Sequence, residues 1–261
     1  MKKLILITLL FCSAFTIKAQ NLILNGSFEQ NSVTGLDCQF EIANVDYTAL
    51  MHHSTAFSVY GGENSIFFEG CSTYTSIVPV GIAYDVDFSV MVFSADTIFN
   101  NFHYEKWTAF SLQLGQALQT GSYYKLNYYQ RKIPHIYPPT YFSSGNLLLG
   151  ISESDTAFGT VIDTIAYNNT EWENIEFIFK ATIPAQHLTI KGMLEQGLHA
   201  ALVDDFVLTL DSMPPNAINE QQGKKQLLKI VDIFGRESKS KKGLLFYIYS
   251  DGTVEKKLIM E

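Results

Sequence analysis

Apolar and polar residues alternate with a period of two through much of the 261-residue chain, and no window sustains the 3.6-residue period of a helix. The stretch 172–179 shows this best. Ile175, Phe177 and Phe179 share one side, while Asn174 and Glu176 fall on the other. Side chains of a strand point alternately to its two faces, so this pattern predicts one buried and one wet surface. Comparable runs lie at 21–24, 65–69, 86–93, 108–114, 123–130, 146–151, 187–193 and 200–210, with turn residues between them. Tyr, Phe, Thr, Ile and Val are plentiful, as strands prefer. The expected architecture is all-β: one antiparallel β-sandwich over residues 20–211.

The pattern breaks after that. Residues 212–225 carry Pro214 and Pro215, then a polar run, and read as a linker. Residues 226–261 resume with an apolar run at 227–234 closed by Gly235, and a second at 244–249. The pair Asp251-Gly252 then joins the second run to a third, at 253–259. Asp-Gly between two strand-like runs is a strong hairpin signal. So short a segment buries little, and a small C-terminal β-hairpin or mini-sheet is expected.

The other end adds a compartment. Met1-Lys2-Lys3, the apolar run 4–16 and Ala19 before Gln20 describe a secretory signal peptide over residues 1–19, cleaved after Ala19. A lipid anchor at Cys12 is disfavoured by bulky Phe11 before it. No later stretch is long and apolar enough to form a transmembrane helix. Without Lys2, Lys3 and Lys18, 15 basic residues face 26 acidic ones, a net charge of −11. That argues against nucleic acid and anionic membrane surfaces as partners. Two cysteines remain, Cys38 and Cys71; in an exported chain they form a disulfide or serve as two small buried hydrophobes.

Candidate chemistry concentrates near the two ends of the sandwich. Asp204 and Asp205 interrupt a run of strand formers, where acids are depleted. Alternation puts only one of them, Asp205, on the side of Val203 and Val207. A carboxylate on the buried side needs a counter-charge, donors or a hard cation. Glu29 closes the first apolar run, just after the turn-prone Asn25-Gly26. If the first and last strands meet, Glu29 with Asp205 or Asp204 can hold a structural calcium, with oxygens near Gly26 and Ser27 completing the shell.

The opening Asn25-Gly26-Ser27-Phe28-Glu29 and the closing Val203-Asp204-Asp205-Phe206-Val207-Leu208 resemble the galactose-binding-domain-like jelly rolls, which include many carbohydrate-binding modules. The Gly61-Gly62 turn, the strand after Gly121 and the Trp172-bearing strand fit the same likeness. It implies a jelly roll whose opening Glu and closing Asp ligate calcium. The tail resembles the C-terminal sorting signals of the type IX secretion system of the Bacteroidetes. That match lies in Ile230-Val231-Asp232-Ile233-Phe234-Gly235-Arg236-Glu237, Tyr247-Ile248-Tyr249 and Glu255-Lys256-Lys257-Leu258-Ile259. It implies export through the type IX machinery to the outer surface or the medium.

Around the proline-bearing loop 133–140, Tyr129, Tyr137 and Tyr141 can stack on a sugar ring, with Arg131 donating to its hydroxyls and His135 beside them as a further ligand-binding candidate; the bland alternative is that tyrosines fill the core and cap loops. The six histidines show no zinc-type spacing, and no Gly-x-Ser-x-Gly elbow, phosphate loop or cysteine–histidine constellation occurs. The reading is a secreted or cell-surface, non-catalytic protein that binds carbohydrate or adheres to surfaces. The alternatives are a structural or protein-interaction surface protein without glycan specificity, and an accessory of a polysaccharide-acting hydrolase.

Overall fold

The computed structural model describes residues 20–35, 37–59, 64–69, 71, 83–99, 102–137, 140–211, 227–232, 236–238, 243–249 and 253–259. The expected signal peptide at 1–19 and linker at 212–225 lie outside the described residues. The chain divides into two compact units, Met1–Pro214 and Pro215–Glu261.

The first unit is built from β1 (Gln39–Ile42), α1 (Asn44–Leu50), β2 (Ser54–Ala56), β3 (Asn64–Phe68), β4 (Phe88–Phe99), β5 (Phe102–Trp107), β6 (Ala109–Gln113), β7 (Tyr123–Lys132), β8 (His135–Tyr137), β9 (Thr140–Tyr141), β10 (Gly145–Ser152), β11 (Thr160–Tyr167), β12 (Glu173–Lys180), β13 (His187–Gly192) and β14 (Gly197–Asp211). Two antiparallel sheets face each other. One runs β1-β3-β4-β14-β7-β12, with β5 paired to β4; the other runs β11-β10-β13-β6-β2. Between them lies the main core, which includes Phe28, Phe110, Tyr128, Leu149, Ile190, Val203 and Phe206. Strand β7 shows how alternation builds it: Tyr124, Leu126 and Tyr128 are buried, while Tyr123, Lys125, Asn127 and Tyr129 are less so. On β12, Ile175, Phe177 and Phe179 pack inward as the sequence pattern predicts.

The chain's opening runs beside β14. Leu22 N–H donates to the Leu208 carbonyl (2.8 Å) and Phe206 N–H to the Gly26 carbonyl (2.9 Å). The Asn21 amide clamps the same strand, donating to the Phe206 carbonyl at 3.0 Å and accepting from Leu208 N–H at 2.9 Å. The approach is so close that a Cβ on Gly26 would sit 1.9 Å from the Phe206 oxygen, so only glycine fits there. Phe28 then adopts φ 60°, strained for a bulky residue, and buries its ring edge-on to Phe110 and Phe206.

A second, smaller apolar cluster sits on the outer face of the seven-stranded sheet: Phe67, Met91, Ile133, Phe142, Ala200 and Leu202, with Cys38 and Cys71. The two cysteines are joined by a disulfide, with Cα atoms 5.0 Å apart.

In the second unit, β15 (Leu227–Val231), β16 (Gly243–Tyr249) and β17 (Val254–Ile259) form an antiparallel three-stranded sheet. Tyr249 donates to Glu255 across the β16–β17 pair (2.9 Å), and Leu245 is buried. The pairing of β16 with β17 is what Asp251-Gly252 predicts, although those two residues lie outside the described set.

Candidate ligand-binding face

Beyond the small apolar cluster, the outer face of the seven-stranded sheet turns polar and aromatic. Register places Asn174 of β12 and Asp204 of β14 on either side of Tyr129, and Glu176 beside Asn127. Residues directly opposite in an antiparallel pair share a face, so these side chains form one row. Asn127 and Asn174 exchange amide hydrogen bonds (3.3 and 3.1 Å), and Asn127 also donates to Glu176 at 3.5 Å. Lys125 pairs with Glu176 at 2.7 Å, which holds the Glu176 carboxyl below the usual range. Both ends of that pair are exposed, so it contributes little to stability and serves to order the strip.

Tyr84 sits on this row. Its ring stacks on Tyr129 with centroids 3.3 Å apart and planes 14° from parallel, and Trp172 meets it edge-on at 6.2 Å. The Tyr84 hydroxyl is pushed up to about 12, first by its bond to the Tyr129 hydroxyl, so it stays protonated. Tyr84 is 44% exposed. The aromatic surface offered to a ligand is therefore Tyr84, backed by Tyr129 and flanked by Trp172.

Two carboxylates hold the Tyr84 loop in place. Asp204 Oδ2 accepts from the N–H groups of Tyr84 (2.8 Å) and Asp85 (3.0 Å), and its Oδ1 from Asp205 N–H (2.7 Å). Glu29 Oε1 accepts from Asp87 and Phe88 N–H, each at 2.9 Å. Four of the five amides between 84 and 88 thus point at two acids from opposite ends of the domain. Between them Val86 sits at φ 54°, a strained value for a β-branched residue, which the surrounding bonds enforce.

Alternation alone puts Asp205 on the buried side, and here the structure differs. A β-bulge between Asp204 and Val207 adds a residue to β14, and Asp205 takes φ 50° within it. Asp204 is consequently the fully buried acid, and Asp205 is partly exposed. The bulge also flips the partners: Val203 faces the core, while Val207 lies opposite Asn127 on the outer face.

The donor set around these acids bears directly on calcium. Amide hydrogens, which repel a cation, engage both Asp204 oxygens and one of Glu29, and the Gly26 carbonyl already accepts from Phe206. Ser27 is partly exposed on the turn. Among the described residues, Glu29, Asp204 and Asp205 do not form a trio whose ligand atoms all lie within 4.8 Å of one another. The arrangement does not fit a calcium cage, because backbone donors meet the need that a cation was expected to meet. Adding a chelator to the folded protein should leave its melting temperature unchanged in calorimetry. A fall of more than a few degrees that calcium reverses would restore the metal assignment.

The remaining sugar-contact candidates scatter. Arg131 is buried, its guanidinium 5.5 Å over the Trp172 ring, and burial lowers its pKa; it braces Trp172 instead of reaching solvent. Tyr141 is 68% exposed on β9. His135 and Tyr137 lie on β8, paired with β9, and their side chains fall outside the described set. Among the described residues one trio of metal-ligand type does converge, Asp96, His103 and Glu105 on the β4–β5 hairpin. There His103 is an exposed imidazole paired with Asp96 at 2.6 Å, which raises its pKa.

No protein-family model matches the chain, and no curated protein matches it. Solved structures do. The carbohydrate-binding module TmCBM61 in complex with β-1,4-galactotriose is 13% identical over 74% of this chain and 100% of its own, with a TM-score of 0.38. A cyclase from Fischerella sp. TAU is 14% identical over 76% and 100%, with a TM-score of 0.46. The CBM22-1 xylan-binding domain of Paenibacillus barcinonensis Xyn10C is 13% identical over 75% and 97%, with a TM-score of 0.41.

Proposed function

We propose that residues 20–211 form a non-catalytic glycan-binding module, exported by the signal peptide and carried to the cell surface or beyond by the type IX sorting tail at 226–261. The observation that carries the binding half is the outer sheet face. A half-exposed tyrosine, stacked from behind and flanked by a tryptophan, stands beside a ready-paired strip of Asn127, Asn174, Glu176 and Lys125. Sugars need both features: a flat apolar surface for the C–H face of the ring, and fixed donors and acceptors for its hydroxyls. Rigidity helps, because side chains already held by one another lose little freedom on binding. The export half is supported by the sequence pattern at the two termini.

A glycan array and affinity electrophoresis in polysaccharide gels test the reading. The wild-type protein should be retained by at least one neutral polysaccharide, and Tyr84→Ala should weaken retention at least tenfold, about 1.4 kcal/mol, with an unchanged fold. Absence of binding across the array by folded protein would favour the reading as a surface interaction protein without glycan specificity.

A further inference from the structure

A second polar site lies away from the aromatic face, on the five-stranded sheet. A pocket of about 270 Å³ opens where β2, β6 and β13 meet, lined among others by His52, His53, Thr55, Gln113, Asp155 and His187. Backbone geometry assembles it: Gln113 N–H donates to the His53 carbonyl (2.8 Å), and Gln113 lies directly opposite His187 in the β6–β13 register. Paired residues of adjacent antiparallel strands share a face, so the three side chains stand in a row.

Its chemistry is mixed and nearly neutral. His53 Nδ1 donates to the Gln113 side-chain oxygen at 2.9 Å, which leaves the Gln113 amide group to donate elsewhere. His52 Nε2 bonds Ser32 Oγ at 2.8 Å. His187 Nδ1 is buried without a hydrogen bond of ordinary geometry. Burial keeps that ring below its usual pKa, against the pull of Asp155 and the carbonyls of Ser152 and Glu153. Among the described lining residues, Asp155 contributes the one carboxylate, and there is no Lys or Arg.

These features narrow the ligand. The Asp155 carboxylate, with no Lys or Arg among the described lining residues to offset it, does not attract an anion. Among the described residues, no three of the imidazoles and Asp155 bring ligand atoms within 4.8 Å of one another. No Phe, Tyr or Trp is among the described lining residues, so the broad-ring stacking of the other face is not its mode. What remains is a row of hydrogen-bonding side chains beside one carboxylate, in room for about nine waters at ~30 Å³ each. We propose that this pocket binds the edge of a single neutral, polyhydroxylated ring, such as the terminal sugar of a glycan, independently of the aromatic face.

Backbone and imidazole NMR shifts, followed while methyl β-D-galactopyranoside and methyl β-D-glucopyranoside are added in turn at pH 7.5, test this. Saturable shifts at Gln113, His187 and His53 are expected with at least one of the two. Gln113→Ala, at an exposed position, and His187→Ala should each weaken them at least tenfold, whereas Tyr84→Ala should leave them intact. Three results would overturn the proposal: no saturable shift with either glycoside, tighter binding of D-glucuronate, or equal loss in Tyr84→Ala. The last would make the two faces one site. Loss of polysaccharide retention in Tyr84→Ala with these shifts preserved would show that the two readings stand or fall separately.

Discussion

Replacing Asp204 with Ala is expected to destabilise the sandwich by about 3 kcal/mol at neutral pH and to release Tyr84 from Tyr129. Three backbone N–H groups lose their acceptor, and each hydrogen bond of this kind contributes about 1 kcal/mol, more where the stranded donor stays dry. The loop is partly exposed and Val86 sheds its left-handed strain once freed, which keeps the loss near the lower bound. A pH signature separates this effect from simple loss of packing. Burial pushes the Asp204 carboxyl from 3.8 up to about 8, against the three amide donors and with Asp205 adding to the rise. The folded protein therefore holds this proton more tightly than the unfolded chain does. The resulting stabilisation is complete below the unfolded value of 3.8 and is lost as pH rises through about 8. Its slope reaches at most about 1.4 kcal/mol per pH unit. Asp205 is shifted upward as well, by burial first and then by Asp85, but that slope is common to both proteins. Urea melts at several pH values should thus show the gap between wild type and Asp204→Ala narrowing from pH 5 to pH 9. Parallel curves would mean that folding does not tighten the hold of Asp204 on its proton, and a loss below about 1 kcal/mol that the amide contacts do not hold the loop.

The proposed binding face was only half legible in the chain. Alternation exposes β7 and β12 without ambiguity, since Tyr124, Leu126 and Tyr128 on one strand and Ile175, Phe177 and Phe179 on the other can only face the core. The same period then yields Tyr129, Asn127, Asn174 and Glu176 as outward residues. Tyr84 is invisible to that logic. The run from Tyr84 to Phe88 alternates like the start of a strand, yet β4 begins only at Phe88, because two acids distant in sequence fold those amides inward. The bulge at Asp204 escapes for a related reason: a one-residue insertion in register leaves no compositional mark, and it exchanges the roles of Asp204 and Asp205. Strand β11 is largely exposed, with Asp163 within it, so its apolar pattern is faint. Helix α1, seven residues with only Tyr47 buried, is too short to show a period. What pattern reading recovers is the scaffold; what it misses is set by contacts more than 100 residues apart, such as Asp204 with Tyr84.

Removing both cysteines as Cys38→Ala/Cys71→Ala should lower stability by about 3–4 kcal/mol, or about 10 °C in melting temperature for a domain of this size. The bridge spans a sequence separation of 33, and closing a loop of that length in the unfolded chain removes entropy of this order. Alanine is the appropriate replacement, because both sulfurs sit in the apolar cluster with Phe67, Met91 and Leu202, where serine would add two buried hydroxyls needing partners. The site adds a functional reason for the bridge. Trp172 packs against this cluster, receives Arg131 over its ring and meets the edge of Tyr84, so the cluster braces the flank of the aromatic platform. Calorimetry of the double variant, and of wild type with and without reductant, should give matching losses. A double variant melting within about 2 °C of wild type would show that packing alone holds this side of the sandwich, and that the covalent link contributes nothing measurable there.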